Sequence, residues 1–130
     1  MSIVSHGIDI VRCDRIERVW KQHGDTFLRR VYTEAERAYC LACRTPAERL
    51  GGRFAAKEAV FKALGTGWRG GIRWVDVEVL PDGLGRPEVK LGGESAALAT
   101  QLGIGRILLS ISHTREHAVA SAIAVAARSA

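Results

Sequence analysis

Residues 45–65, TPAERLGGRFAAKEAVFKALG, constrain this chain more than any other stretch. Thr45 and Glu48 have the spacing of a capping box, Pro46 falls at the favoured first helical position, and Gly65 suits a left-handed end, so the segment reads as one long helix. At about 100° per residue, Leu50, Phe54, Phe61 and Leu64 form an apolar stripe, while Gly51, Ala55, Glu58, Lys62 and Gly65 form the neighbouring one. An acid and a base thus share a flank of small residues, where something bulky can approach. The exit Gly65-Thr66-Gly67 gives that flank a glycine-rich end.

The remaining segments supply a sheet for this helix. Residues 2–11, SIVSHGIDIV, alternate and are β-branched, which predicts a strand with Ile8 and Ile10 on one face and Asp9 on the other. Asp14 with Glu17 has the spacing of a D-x-x-E capping box and opens a helix to about Gly24; Thr33 with Glu36 opens another through Leu41 and Cys43. Residues 73–80 alternate as a strand, 81–87 read as a turn and 88–91 as a returning strand. A short helix follows over 93–103. Residues 106–113 and 118–126 alternate on either side of TREH and predict a closing antiparallel hairpin. The order predicts a single α+β domain over residues 1–130, with an antiparallel sheet packed against a long central helix.

Composition narrows the class. At 47% hydrophobic, 130 residues can build a core without disulfides or a structural metal. The three cysteines suit free thiols in a reducing compartment, and the C-x-x-C of Cys40 and Cys43 lies inside a helical pattern with no second pair to complete a zinc site. Neither a signal peptide nor an apolar run long enough to span a bilayer is present, which predicts a cytoplasmic protein without membrane association. The net charge of +5 favours a negatively charged partner, whether nucleic acid, nucleotide or acidic protein.

Four features could carry chemistry: Asp9 in its strand, Glu58 with Lys62, the glycine-rich exit, and His113 at the end of the SISH strand. Each has a plainer reading as a solvated strand residue, a surface i,i+4 ion pair, a helix cap and a hydrogen-bonded strand end, respectively. Together they suit a diphosphate. Two carboxylates with few other ligands match Mg²⁺, which prefers substrate phosphates as further ligands, and a lysine and backbone N–H groups add positive potential. Neither a P-loop nor a dinucleotide-binding glycine pattern is present.

The segments GIDIVRCDRI (7–16), GRFAAKEAVFKALGTG (52–67), GRP (85–87) and SISHTREHAVASAIA (110–124) resemble, in order and spacing, the holo-acyl-carrier-protein synthases, the small trimeric class of 4'-phosphopantetheinyl transferases. The resemblance implies that fold, and transfer of phosphopantetheine from coenzyme A to a serine of apo-acyl carrier protein. It implies Asp9 and Glu58 as Mg²⁺ ligands, Lys62 beside the coenzyme A diphosphate, and His113 among the catalytic group. Coenzyme A would also meet Arg53, Gly65, Thr66, Pro87 and Ser112, in a cleft between the subunits of a homotrimer. Arg15, Arg18, Lys21 and Arg30 would receive the acidic carrier protein on and beside the first helix. Cys13, Trp20 and the arginine of GRP depart from the family's usual residues and bear on carrier selectivity. Two other classes remain: a basic nucleic-acid-binding module, against which stands the lack of an aromatic sheet platform or a recognition-helix motif, and a coenzyme A-binding homologue without turnover, against which stand Asp9, Glu58 and Lys62.

Overall fold

The computed structural model describes residues 2–65 and 72–128. In chain order the elements are β1 (Ile3–Arg12), α1 (Cys13–His23), α2 (Asp25–Val31), α3 (Glu34–Leu41), α4 (Pro46–Leu64), a 3-10 turn (Trp74–Asp76), β2 (Val77–Pro81), β3 (Pro87–Leu91), α5 (Gly93–Gln101), β4 (Ile104–His113) and β5 (His117–Ala126). Strands β1, β5 and β4 form an antiparallel sheet in that order, and β2 pairs with β3 in a separate antiparallel hairpin. The α+β architecture with a long helix on an antiparallel sheet is as the sequence predicts.

Helix α4 packs on one face of the sheet and sits closest where β5 and β1 present alanine and glycine. On β5 the inward residues are Ala118, Ala120, Ala122 and Ala124, all buried. On β1 the inward position is Gly7, where a Cβ would stand 2.1 Å from the Ala59 carbonyl oxygen. No side chain larger than hydrogen fits there, so α4 rests directly on the β1 backbone. The stripe of Leu50, Phe61 and Leu64 is buried as expected, with Phe54 half-buried and stacked on Trp74. The other sheet face is open and aliphatic: Ile8 is 59% exposed and Ile10 65%, and Leu108 of β4 lies on the same side.

Several local expectations are corrected. Helix α2 was not anticipated; it follows Gly24, whose φ of +57° redirects the chain, and it is held by buried Leu28 and Val31. Asp14 and Glu17 form no capping box, because α1 already begins at Cys13; Arg12 donates to Asp14 Oδ2 at 2.7 Å and holds that carboxyl below the usual range. Thr45 makes no side-chain cap either, although Pro46 does open α4. Of the three expected boxes, the Thr33–Glu36 one forms. The alternation of residues 73–76 yields a 3-10 turn rather than strand, since Asp76 accepts from the Arg73 backbone N–H and from its guanidinium.

One interaction contradicts binary patterning. Lys57, on α4, is fully buried and donates from Nζ to Glu36 Oε1 at 2.7 Å, to the Trp74 carbonyl at 3.1 Å and to the Val77 carbonyl. Glu36 in turn accepts from the backbone N–H groups of Thr33 and Val79. Burial lowers the Lys57 pKa and the Glu36 charge opposes that shift, so the pair is a fully bonded clamp between α3, α4 and the β2 hairpin.

Candidate active site

The helix-to-strand contact at Gly7 sets the first half of the site. With α4 seated on β1, Lys62 Nζ donates to Asp9 Oδ1 at 3.1 Å and to the Ile8 carbonyl at 2.9 Å. Glu58, one turn earlier, makes no hydrogen bond or ion pair among the described residues. Lys62 therefore does not form the i,i+4 ion pair that the plainer reading expected; it is bonded across to the strand. Burial raises the Glu58 pKa and the Asp9 charge adds to the rise, while Lys62 and Arg15 oppose it. An unpartnered carboxyl beside a second carboxylate, with two cations near, offers the donor chemistry that a hard cation and a phosphate can use.

Gly65 closes α4 at φ +75°, its N–H bonded back to the carbonyls of Lys62 and Phe61. Thr66 lies outside the described residues, as does Gly67. Arg15, expected to serve carrier docking, also acts by its charge on Glu58, against the rise in that carboxyl's pKa.

The second half stands on the opposite edge of the sheet. His113 ends β4 and its Nδ1 is 3.2 Å from Glu48 Oε1 in the first turn of α4. Ser112 precedes it and so points to the opposite sheet face, on the side of Ile10. Pro87 belongs to β3, which lies alongside β4. Arg53, only 8% exposed, has its guanidinium carbon 4.6 Å from the centre of the Tyr39 ring, which Arg49 also covers at 4.4 Å. Arg53 Nε is buried without a hydrogen-bond partner among the described residues.

The two halves do not meet within one chain. Strand β5 separates β1 from β4, which puts their axes about 10 Å apart. Glu48 precedes Glu58 by ten helical residues, about 15 Å along the axis of α4. Asp9, Glu58 and Lys62 thus lie toward the β1 edge, Ser112 and His113 stand on the β4 edge with Pro87 on the neighbouring β3, and Arg53 lies against Tyr39 of α3.

The other cations expected to receive the carrier lie on and after α1. Arg18 approaches Asp14 at 3.9 Å and Lys21 pairs with Glu17 at 2.9 Å, all largely exposed, and Arg30 lies in the last turn of α2. A groove of about 990 Å³ runs between α1 and the start of α4, lined by Cys13, Trp20, Lys21, Pro46, Glu48 and Glu116 among others. It shares Glu48 with the β4-edge half and lies apart from Asp9 and Lys62. Cys13 in its wall has a raised pKa, through burial first and then the charges of Glu48 and Asp14. Burial pushes the Cys40 thiol up to about 12, consistent with a packing role for the C-x-x-C pair.

Sequence reasoning missed the Glu48–His113 contact and the buried Glu36–Lys57 pair. Glu48 was assigned to a cap, and nothing in its spacing links it to a histidine 65 residues away.

Comparison with known proteins agrees with the fold. The family model of the 4'-phosphopantetheinyl transferase superfamily matches residues 5–122. The chain is 49% identical over 121 residues to the holo-[acyl-carrier-protein] synthase of Koribacter versatilis, covering 93% of this chain and 97% of that protein. Among solved structures it is similar to the holo-[acyl-carrier-protein] synthase of Neisseria meningitidis, with a TM-score of 0.87 and 35% identity over 95% of this chain and 99% of that one. It is also similar to the Bacillus anthracis synthase in complex with CoA (3',5'-ADP), with a TM-score of 0.79 and 35% identity over 96% and 98% of the two chains.

Proposed function

This chain belongs to the 4'-phosphopantetheinyl transferase superfamily, and on that premise we propose that it is a Mg²⁺-dependent holo-[acyl-carrier-protein] synthase. It transfers 4'-phosphopantetheine from coenzyme A to a serine of apo-acyl carrier protein. The observation that carries the reading is the β1-edge cluster: Asp9 bonded to Lys62, and Glu58 without a partner beside them.

The donor set fits the metal. Asp9 and Glu58 are hard oxygen donors whose mutual repulsion a divalent cation relieves, and among the described residues no larger cluster of His, Cys, Asp and Glu competes for it. Asp9 and Glu58 would hold Mg²⁺, which supplies Lewis-acid charge to the coenzyme A diphosphate when bound. Lys62 adds a point charge on the same side, held in place by the Ile8 carbonyl. The carrier serine attacks the phosphorus that bears the pantetheine arm in line with the bridging oxygen. The serine O–P bond forms, the bridging P–O bond breaks, adenosine 3',5'-bisphosphate leaves, and the serine proton passes to a base at the carboxylate cluster. Alignment and electrostatic stabilisation supply the rate, as in other phosphoryl transfers.

The nucleotide contacts fall on the β4 edge. Arg53, with its unpartnered Nε, suits a phosphate, and His113, Ser112 and Pro87 lie on or beside β4. Because the halves lie on opposite sheet edges, one complete site needs two copies. Three copies closing over the open face of Ile8, Ile10 and Leu108 would hide that aliphatic surface and bring one copy's β1 edge to the next copy's β4 edge. Asp9, Glu58, Lys62 and Gly65 would then act with Arg53, Pro87, Ser112 and His113 of a neighbour. Thr66 belongs to the first group by its place after Gly65. Arg15, Arg18, Lys21 and Arg30 would receive the acidic carrier. The open sheet face is aliphatic rather than aromatic, which disfavours a nucleic-acid platform.

Mixing the protein with coenzyme A, Mg²⁺ and a bacterial apo-acyl carrier protein tests the reading by the carrier's intact mass. A gain of one phosphopantetheine that disappears on chelation of Mg²⁺ supports it. No gain with several carriers refutes it.

A further inference from the structure

His113 has one hydrogen-bond partner among the described residues, the Glu48 carboxylate at 3.2 Å from Nδ1. We propose that Glu48 is a positioning residue: it holds the His113 ring in the Nδ1–H form and in one orientation, so that Nε2 is the nitrogen presented to the coenzyme A cleft. The proposal rests on the reading of His113 as part of the β4-edge half-site.

The proton assignment follows from chemistry. A carboxylate can only accept, so the ring nitrogen that faces Glu48 must carry hydrogen. With Nδ1 so engaged, a neutral ring keeps its lone pair on Nε2 and a protonated ring presents an N–H there. In both states the same atom, in the same place, meets the ligand. A carboxylate that orients an imidazole in this way is a recurring device at sites where histidine acts on a substrate.

The fold supplies the approach. Glu48 is free to turn toward β4 because it takes no part in capping α4. Four residues on, Gly52 lacks a side chain where a Cβ would stand 3.2 Å from Ile111 Cγ2. Ile111 lies two residues before His113 on the same face of β4, so the contact that seats the strand on α4 also aims the imidazole at Glu48. The carboxylate side chain is 19% exposed against 45% for the imidazole, so Glu48 is the sheltered partner and the ring's far edge is the open one. A plain surface ion pair would hold its ring loosely and contribute little.

The test labels the full-length protein with ¹⁵N-histidine and reads the long-range ¹H–¹⁵N correlations of the neutral rings, with His113→Gln used to assign the His113 signals. In the wild type His113 should show the Nδ1–H pattern. Glu48→Gln should preserve it, because the amide oxygen still accepts, and Glu48→Ala should return the ring to the mixed pattern of free histidine. Glu48→Ala should also lower kcat/KM for coenzyme A by about tenfold at an unchanged melting temperature, and Glu48→Gln should recover most of that loss. A wild-type His113 in the Nε2–H or mixed form, an unaltered spectrum in Glu48→Ala, or equal kinetic damage in both variants would overturn the proposal. Failure of the parent reading looks different: a wild type that transfers nothing to any carrier, whatever its histidine spectrum.

Discussion

Lys62 of α4 donates to Asp9 of β1 at 3.1 Å, a bond across 53 residues that ties the helix to one edge of the sheet. It exists because Gly7, two residues before Asp9, lets the helix rest on the strand backbone. Helix α4 and strand β1 are thus registered by the absence of a side chain.

Gly7→Ala should therefore act on stability and catalysis together. Its Cβ would meet the Ala59 carbonyl at 2.1 Å, backbone against backbone, so α4 must lift. The overpacking should cost about 3 kcal/mol, roughly 10 °C in Tm for a domain of this size, and separate Lys62 from Asp9. Thermal melting and carrier turnover check this; a variant of wild-type stability and rate would contradict it.

Lys57→Met leaves Glu36 buried with a charge and no cation. The expected loss is about 3–5 kcal/mol in urea unfolding, far above that of a surface lysine. Lys90→Met, at an exposed position on β3, serves as the control and should change stability by less than about 0.5 kcal/mol.

The Glu58 carboxyl has a folded-state pKa above its ordinary value, from burial and from the Asp9 charge. The native state then holds the extra proton between the ordinary value and the raised one. Glu58 contributes stability that is present below the unfolded value and lost as pH rises through the folded value. Glu58→Gln should gain in Tm relative to wild type from acid toward neutral pH, and Mg²⁺ should stabilise the wild type more than the variant. A gap that narrows as pH rises would have the wrong sign.

Charge reversal on α1 should separate docking from chemistry. Arg18→Glu should raise KM for the carrier by about tenfold at low salt, with the effect shrinking as salt rises, and leave KM for coenzyme A unchanged. Arg15→Glu should also lower kcat, because Arg15 acts on Glu58. Equal effects of the two on kcat would contradict the division.

Much of this was legible in the sequence where backbone chemistry and periodicity agree. Pro46 and Gly65 bound α4, and alternation located β4 and β5. Capping signals were weaker guides: Thr33 and Glu36 form their box, but Asp14 and Glu48 spend their carboxylates on Arg12 and His113. A neighbour two residues away in the first place and a tertiary partner in the second outcompeted the cap. Helix α2 was missed because seven residues give too few turns for a periodic signal, although Leu28 and Val31 do share a face. Lys57 and Glu36 were invisible because patterning places charges outside. Asp9, Glu58, Lys62 and His113 could be named from the sequence, but not their division between two sheet edges, which depends on β5 lying between β1 and β4.

The most direct measurement co-expresses Glu58→Ala with His113→Ala and follows the mass of apo-acyl carrier protein incubated with coenzyme A, Mg²⁺ and the mixed assemblies. Each variant alone should make little holo-carrier. In a ring of randomly mixed subunits, about one interface in four unites an intact β1 edge with an intact β4 edge, so about a quarter of wild-type activity should return. A mixture no more active than the separate variants would contradict a site shared between copies.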